Sequence, residues 1–288
     1  MAVSTDVDLD AHFVEPTGTH RSTVILLHGT SQTGPEFSQP FLNFTLPFHS
    51  TSLNPITNTN TTLALLFPHT RWVFPTGHRR KTTVFDGNIT NAWFDIHNFS
   101  DRTIGECDAI PGLRRSAISL TRLIASELAF LGPDGNLVIG GFSQGSAMSI
   151  FLLLSGELES LGIGSGNGGV AGVVKMSGWL PFRRQIGEVI DQITPEDGLS
   201  RRKAVRRYVR NLLELEEMEC EDEFLDVPVW LGHGEADEKM KLHWGVEMRD
   251  MLSAIGIDVS MSTYPGLAHW WDEREMGDLV EVLKRMLS

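Results

Sequence analysis

Short apolar runs punctuate this chain, and amphipathic stretches separate them. Thr23-Val24-Ile25-Leu26-Leu27, Trp72-Val73-Phe74-Pro75, Leu137-Val138-Ile139-Gly140, Val170 to Met176, Val227 to Gly232 and Val259 to Tyr264 are strand-length and bounded by polar or Gly/Pro-containing segments. Leu113, Ala117, Leu120, Ile124 and Leu128 recur at helical spacing. Leu113 to Leu131 therefore reads as a helix packed on a sheet, before Gly132-Pro133-Asp134-Gly135 turns the chain. Ser146 to Leu152, Lys239 to Ile255 and Met276 to Leu287 read as further helices. The predicted order is β, loop, β, loop, α, then β and α in alternation. That order indicates an α/β fold with a mainly parallel central sheet and helices on both faces. Val170 to Met176, with few polar residues, is expected near the sheet centre, and there is no internal repeat.

Other segments break the pattern. Residues 50–62 are rich in Thr, Asn and Ser and read as a surface loop. Gly162 to Gly169 reads as a flexible loop. Ser200 to Arg210 reads as a basic helix, followed by an acidic run from Glu214 to Glu223. The expected state is a solvated helix whose charge partly cancels against that run. The competing expectation is a patch that meets lipid head groups or an anionic substrate.

Length and charge narrow the picture. At 288 residues with 41% hydrophobic content, the chain is expected to form a single domain over 1–288. A net charge of −13 argues against nonspecific nucleic-acid binding. Cys107 and Cys220 make no disulfide framework, so reduced thiols of a cytoplasmic protein are the simpler reading. Met1 to Asp8 is acidic and lacks an apolar core, which argues against a signal peptide. No run reaches the roughly 18 apolar residues that span a bilayer, so no stable membrane insertion is expected. The sequons at Asn43, Asn60, Asn88 and Asn98 then carry no meaning beyond composition.

The chemistry centres on Gly141-Phe142-Ser143-Gln144-Gly145, between a predicted strand and a predicted helix. Strand, G-x-S-x-G and helix form a nucleophile elbow: a sharp turn that exposes the Ser143 hydroxyl at a helix N-terminus. Serine is a weak nucleophile until a histidine takes its proton and an acid orients that histidine. Both partners follow in the chain order this geometry requires. Asp237 lies in the turn after Val227 to Gly232, and His269 lies after Val259 to Tyr264. Glu235 shares the turn with Asp237 and competes for the acid role, with Asp237 preferred. His233 is expected to hydrogen-bond that turn rather than act in catalysis. Asp272 and Glu273 are too close to His269 in sequence to orient it and are expected to be solvated. His233, Glu235, Asp237 and His243 match no standard zinc spacing, so no metal is expected. An oxyanion hole needs two backbone donors. Gln144 supplies one, and Thr30, in the loop His28 to Gly34, is expected to supply the other. That loop lacks the Lys of a phosphate-binding loop.

Several stretches in the same order extend the pattern. They are Leu27-His28-Gly29 with Thr33-Gly34, Ala92-Trp93-Phe94-Asp95-Ile96, Gly140 to Gly145, Ser177-Gly178-Trp179-Leu180-Pro181, His233 to Asp237 and Gly266-Leu267-Ala268-His269. On these the chain resembles the acyl-protein thioesterase and carboxylesterase group of α/β-hydrolases, the phospholipase/carboxylesterase family. The resemblance implies an α/β-hydrolase fold, Asp237 rather than Glu235 as the acid, and cofactor-free hydrolysis of acyl esters or thioesters. It places Trp93 to Asp95 on a loop near the site. Trp93, Trp179, Leu180 and Trp270 become acyl-pocket candidates, with core packing as the alternative for each. The substrates it implies are an S-acylated protein, a lysolipid or a small ester, handled by a monomer or weak dimer. Relative to that family, extra residues fall near 38–66, 155–169 and 185–226, and the last is expected to form a partial lid over the site. Glu238-Lys239 replaces the usual Pro after the acid, and Trp270-Trp271 is bulky. The bulk suits a second reading, a small-ester or lactone hydrolase with short-acyl preference. A hydrolase fold that only binds a ligand is the remaining alternative, and the complete triad argues against it.

Overall fold

The apolar runs pair into one sheet of seven strands: β1 Ala11–Val14, β2 Ser22–Leu27, β3 Thr70–Pro75, β4 Asn136–Phe142, β5 Gly169–Met176, β6 Val229–Gly234 and β7 Val259–Tyr264. Their order is β1-β3-β2-β4-β5-β6-β7, parallel throughout except where β1 pairs antiparallel with β3. The computed structural model describes residues 9–48, 59–161, 168–216, 218, 224 and 226–288.

Strand side chains alternate between faces. Ile25, Leu27, Leu137 and Ile139 join the core on one side, and Val24, Leu26, Val138 and Val174 join the core on the other. The first face is covered by α2 Ile110–Leu131, α3 Gln144–Ser155, α4 Arg183–Ile190, α5 Gly198–Leu212 and α6 Leu242–Ala254. The second is covered by α1 Gly34–Leu42 and α7 Glu273–Met286. The predicted helical stripe of α2 is the buried one. Leu113, Leu120 and Ile124 are fully enclosed, and each large aliphatic side chain so buried contributes about 2 kcal/mol. Two short ribbons lie outside the sheet, Thr45–Phe48 with Thr59–Thr62 and Arg79–Thr82 with Asn88–Asn91.

Four expectations need correction. First, the stretch 38–66, expected as extra residues with a surface loop over 50–62, carries regular structure. Their start belongs to α1, which is fixed by a capping box in which Thr33 and Glu36 hydrogen-bond each other's backbone and by a proline in its first turn. Within the Thr/Asn-rich stretch, Thr59–Thr62 is a strand, and residues 50–58 lie outside the described set. Second, β1 was not anticipated, because four residues on an antiparallel edge carry little periodicity. Third, the basic helix is not solvated: Arg201, Arg202 and Arg206 are buried. Fourth, Asp272, expected to be solvated, stays partly exposed but has a structural role. It caps α7, its side chain accepting from the Arg274 and Glu275 backbone N–H groups. Cys220, the loop at 162–167 and most of the acidic run from 214 to 223 fall outside the described residues.

Candidate active site

The elbow forms where β4 runs into α3. Ser143 sits between them at φ 56° and ψ −116°, a conformation a side-chain-bearing residue adopts only when its surroundings enforce it. Two glycines make that turn possible. A Cβ on Gly145 would lie 2.1 Å from the Leu27 carbonyl oxygen, and one on Gly141 would lie 2.6 Å from the Gly145 carbonyl carbon. The Ser143 N–H donates to Met176 O at 2.9 Å, tying the turn to the end of β5.

Asp237 follows the end of β6 and is buried. Its Oδ1 accepts from the backbone N–H groups of Lys239 (2.9 Å) and Met240 (2.8 Å). Burial pushes its carboxyl pKa up, but hydrogen bonds and charge from His269 and the Met240 N–H outweigh that, and it settles below the ordinary value. Oδ2 lies 2.7 Å from His269 Nδ1, and His269 Nε2 lies 3.0 Å from Ser143 Oγ. The structure thus brings Ser143, His269 and Asp237 into one hydrogen-bonded chain. Glu235 is exposed and accepts from Thr263 Oγ1 at 2.8 Å, away from His269. His233 Nε2 lies 2.7 Å from Met240 O and so braces the same turn. The Phe142 ring lies 4.7 Å from the His269 ring, a support that the sequence did not reveal.

A cavity of about 610 Å³ opens over Ser143 and His269. Its walls include Thr30, Phe85, Phe99, Met240 and Trp270. Phe85, Phe99 and Met240 are absent from the expected pocket: Phe85 ends a short 3-10 turn, Phe99 lies in a loop, and Met240 falls in the stretch read as helical, although α6 begins only at Leu242. Of the four pocket candidates, Trp270 alone lines this cavity. Trp179 and Leu180 line a neighbouring cavity of about 200 Å³ with Arg102, Lys241 and Trp244, and the two cavities share Ser100. Trp93 is fully buried below the site, its indole N–H donating to His28 O at 2.9 Å. The Gln144 side chain is also committed to packing: its Oε1 accepts from Trp93 N (3.0 Å) and its Nε2 donates to Phe94 O (2.7 Å). Its backbone N–H remains the first of α3, beside Ser143.

None of the described residues of 185–226 lines the cavity. Val205 and Val209 of α5 join the core on the α3 side of the sheet instead. Arg206 pairs with buried Glu159 at 2.6 Å and Arg210 with Glu157 at 2.8 Å.

A serine at a strained strand-to-helix turn, at the carboxyl edge of a parallel sheet, defines an α/β-hydrolase. The chain belongs to the phospholipase/carboxylesterase family, whose sequence profile matches residues 9–196 and 214–287, and it is an ester or thioester hydrolase. It is 23% identical to an acyl-protein thioesterase 1 of Debaryomyces hansenii over 93% of this chain and 92% of that protein. It is 26% identical to a lysophospholipase-like protein 1 of Mus musculus over 96% of this chain and 92% of that one. The crystal structure of Zea mays acyl-protein thioesterase 2 superposes with a TM-score of 0.64 at 25% identity, covering 97% of this chain and 99% of that one. No described helix is long and apolar enough to cross a membrane.

Proposed function

We propose that the protein cleaves acyl esters and thioesters by two-step acyl transfer through Ser143, His269 and Asp237. The observation that carries this reading is the continuous Asp237–His269–Ser143 chain, at 2.7 and 3.0 Å. His269 Nε2 takes the Ser143 proton as Oγ attacks the carbonyl carbon. The Thr30 and Gln144 N–H groups hold the oxyanion, and His269 passes the proton to the departing alcohol or thiol. In the second step His269 takes a proton from water, the hydroxide attacks the acyl-enzyme, and Ser143 leaves reprotonated with release of the acid. Asp237 holds the Nδ1–H tautomer and offsets the imidazolium charge.

Phe85, Phe99 and Trp270 in the cavity wall support an apolar acyl group as the bound part. The names of the relatives support an S-acylated protein or a lysolipid as its carrier. The same reading places the enzyme in the cytoplasm, in keeping with Cys107 as a free thiol. A second reading, a short-acyl esterase, draws on the half-exposed Trp270, stacked on Trp271 with centroids 3.9 Å apart. Hydrolysis of p-nitrophenyl esters from acetate to palmitate, with Ser143→Ala alongside, tests both. Ser143-dependent rates that rise toward medium and long chains are expected. Activity confined to acetate and butyrate favours the second reading, and turnover by Ser143→Ala removes the mechanism.

A further inference from the structure

His28 follows β2 and is fully buried beside the loop that carries Thr30. The backbone N–H of Gly77 donates to His28 Nε2 at 2.9 Å. That nitrogen is therefore the acceptor, and the neutral ring carries its one proton on Nδ1. Nδ1 lies 2.6 Å from Gly29 O, so it donates to that carbonyl. The ring has little freedom to turn, because the Trp93 indole N–H donates to His28 O at 2.9 Å and the two rings lie 5.0 Å apart.

The Gly29 carbonyl and the Thr30 N–H belong to one peptide unit. In a trans peptide these two groups point in opposite directions. A carbonyl drawn toward the buried imidazole turns the N–H to the other side of the loop. Thr30 lines the cavity beside Ser143, and a Cβ on Gly29 would lie 3.5 Å from the Ser143 Cβ, so this peptide unit borders the nucleophile. Gln32 adds a second tie, its Oε1 accepting from Gly29 N at 3.2 Å and its N–H donating to Gly29 O at 3.4 Å.

We propose that His28 is a positioning residue for the oxyanion hole, its Nδ1–H holding the Gly29–Thr30 peptide so that the Thr30 N–H faces the developing oxyanion. The proposal rests on the reading of Ser143 as nucleophile and Thr30 as donor. A donor held in place before reaction needs no reorganisation when charge appears. Donation into the Gly29 carbonyl also polarises the peptide and strengthens its N–H as a donor. Burial lowers the His28 pKa to about 4, against the opposing effect of the Gly29 carbonyl, so the ring stays neutral near pH 7.

Two substitutions split the imidazole into its halves. In His28→Asn the amide nitrogen can occupy the Nδ1 place and donate to Gly29 O, but nothing reaches Gly77 N. In His28→Gln the amide oxygen can reach the Nε2 place and accept from Gly77 N, but no donor sits at the Nδ1 place. The expected result with p-nitrophenyl butyrate is a kcat about 100-fold or more lower in His28→Gln, with KM little changed. Affinity for a trifluoromethyl ketone, whose adduct carries an oxyanion, falls in proportion. His28→Asn keeps kcat within about 10-fold of the wild type. Wild-type kcat in His28→Gln, or equal or greater loss in a folded His28→Asn, overturns the proposal and leaves His28 as an anchor for Gly77. Should neither variant fold, long-range proton–nitrogen NMR of the wild-type enzyme still decides: the Nδ1–H tautomer is expected, and the Nε2–H tautomer overturns the proposal. Ser143→Ala runs alongside. An inert Ser143→Ala with a fully active His28→Gln removes the role of His28 alone, whereas an active Ser143→Ala removes the mechanism beneath it.

Discussion

Asp237 stays ionised where burial opposes it, because two backbone N–H groups and His269 favour its charged form. Asp237→Asn keeps the shape of the site but favours the wrong His269 tautomer. Its kcat is expected to fall by about 1,000- to 10,000-fold, as measured by steady-state ester hydrolysis. Glu235→Gln removes only the exposed contact to Thr263 and is expected to stay within about threefold of the wild type, the small effect typical of surface changes. Sequence order sufficed to pick out Ser143, Asp237 and His269, which the structure brings within hydrogen-bond reach, because each follows within five residues of a strand's carboxyl end, where side chains of distant segments converge. It did not suffice for Trp93, Trp179 and Leu180. A large apolar side chain is equally at home in a core and in a pocket. What decides for Trp93 is the partner of its N–H, the His28 carbonyl, which no local pattern displays. His28 illustrates the same limit: the sequence marked it as part of the oxyanion loop, but its hydrogen bond to Gly77 spans 49 residues.

At the scale of elements, α7 presses a carboxyl group against β6. Glu275 is fully buried, and a Cβ on Gly232 would meet its Oε1 at 2.3 Å. Neither Glu275 oxygen has a hydrogen-bond partner among the described residues. Burial, and then repulsion from Asp272, Asp237 and Asp278, raises its pKa to about 8. Its ordinary value is 4.5. Between the two values the unfolded chain has lost this proton while the folded chain retains it. The folded state therefore binds more protons, and stability falls as pH rises through that window. Glu275→Gln cannot ionise, so its urea midpoint is expected to gain on that of the wild type from pH 5 to pH 8. The gain is on the order of 3 kcal/mol, and parallel midpoints across that range would exclude a buried, protonated Glu275. His28 acts in the opposite sense. Its folded value of about 4 lies below the ordinary 6.5, so its contribution is present above pH 6.5 and is lost as pH falls toward 4. The helical stripe of α7 was legible from Met276 onward. The inward-facing acid was not, because a charged residue in an amphipathic pattern is assigned to solvent by default.

At the scale of the whole molecule, α5 stands apart, since the family match breaks between residues 196 and 214 and α5 spans Gly198–Leu212. The sequence marks this addition as a basic stretch and raises a lid over the site as one reading, because charge in an insertion reads as surface. The described packing of α5 is against the core. α5 lies against α3, the helix that begins at Gln144, with Val205 and Val209 in the core. Two of its cations meet acids just past the far end of that helix, Arg206 with Glu159 and Arg210 with Glu157, and Arg202 meets Asp226, ahead of β6, at 2.7 Å. The cation side chain of Arg206 and the carboxylate of Glu159 are both buried, so removing one takes a buried ion pair apart. Arg206→Ala is therefore expected to lower unfolding free energy by about 3–5 kcal/mol, read from urea denaturation. The folded enzyme should keep the kcat and KM of the wild type on every chain length, because α5 lines no part of the cavity. A lid predicts the reverse, unchanged stability with altered kinetics toward long acyl chains. Replacing both partners, Arg206→Met with Glu159→Leu, removes two buried charges together and is expected to recover most of the lost stability. Failure of that recovery would mean that α5 is held by something other than this pair.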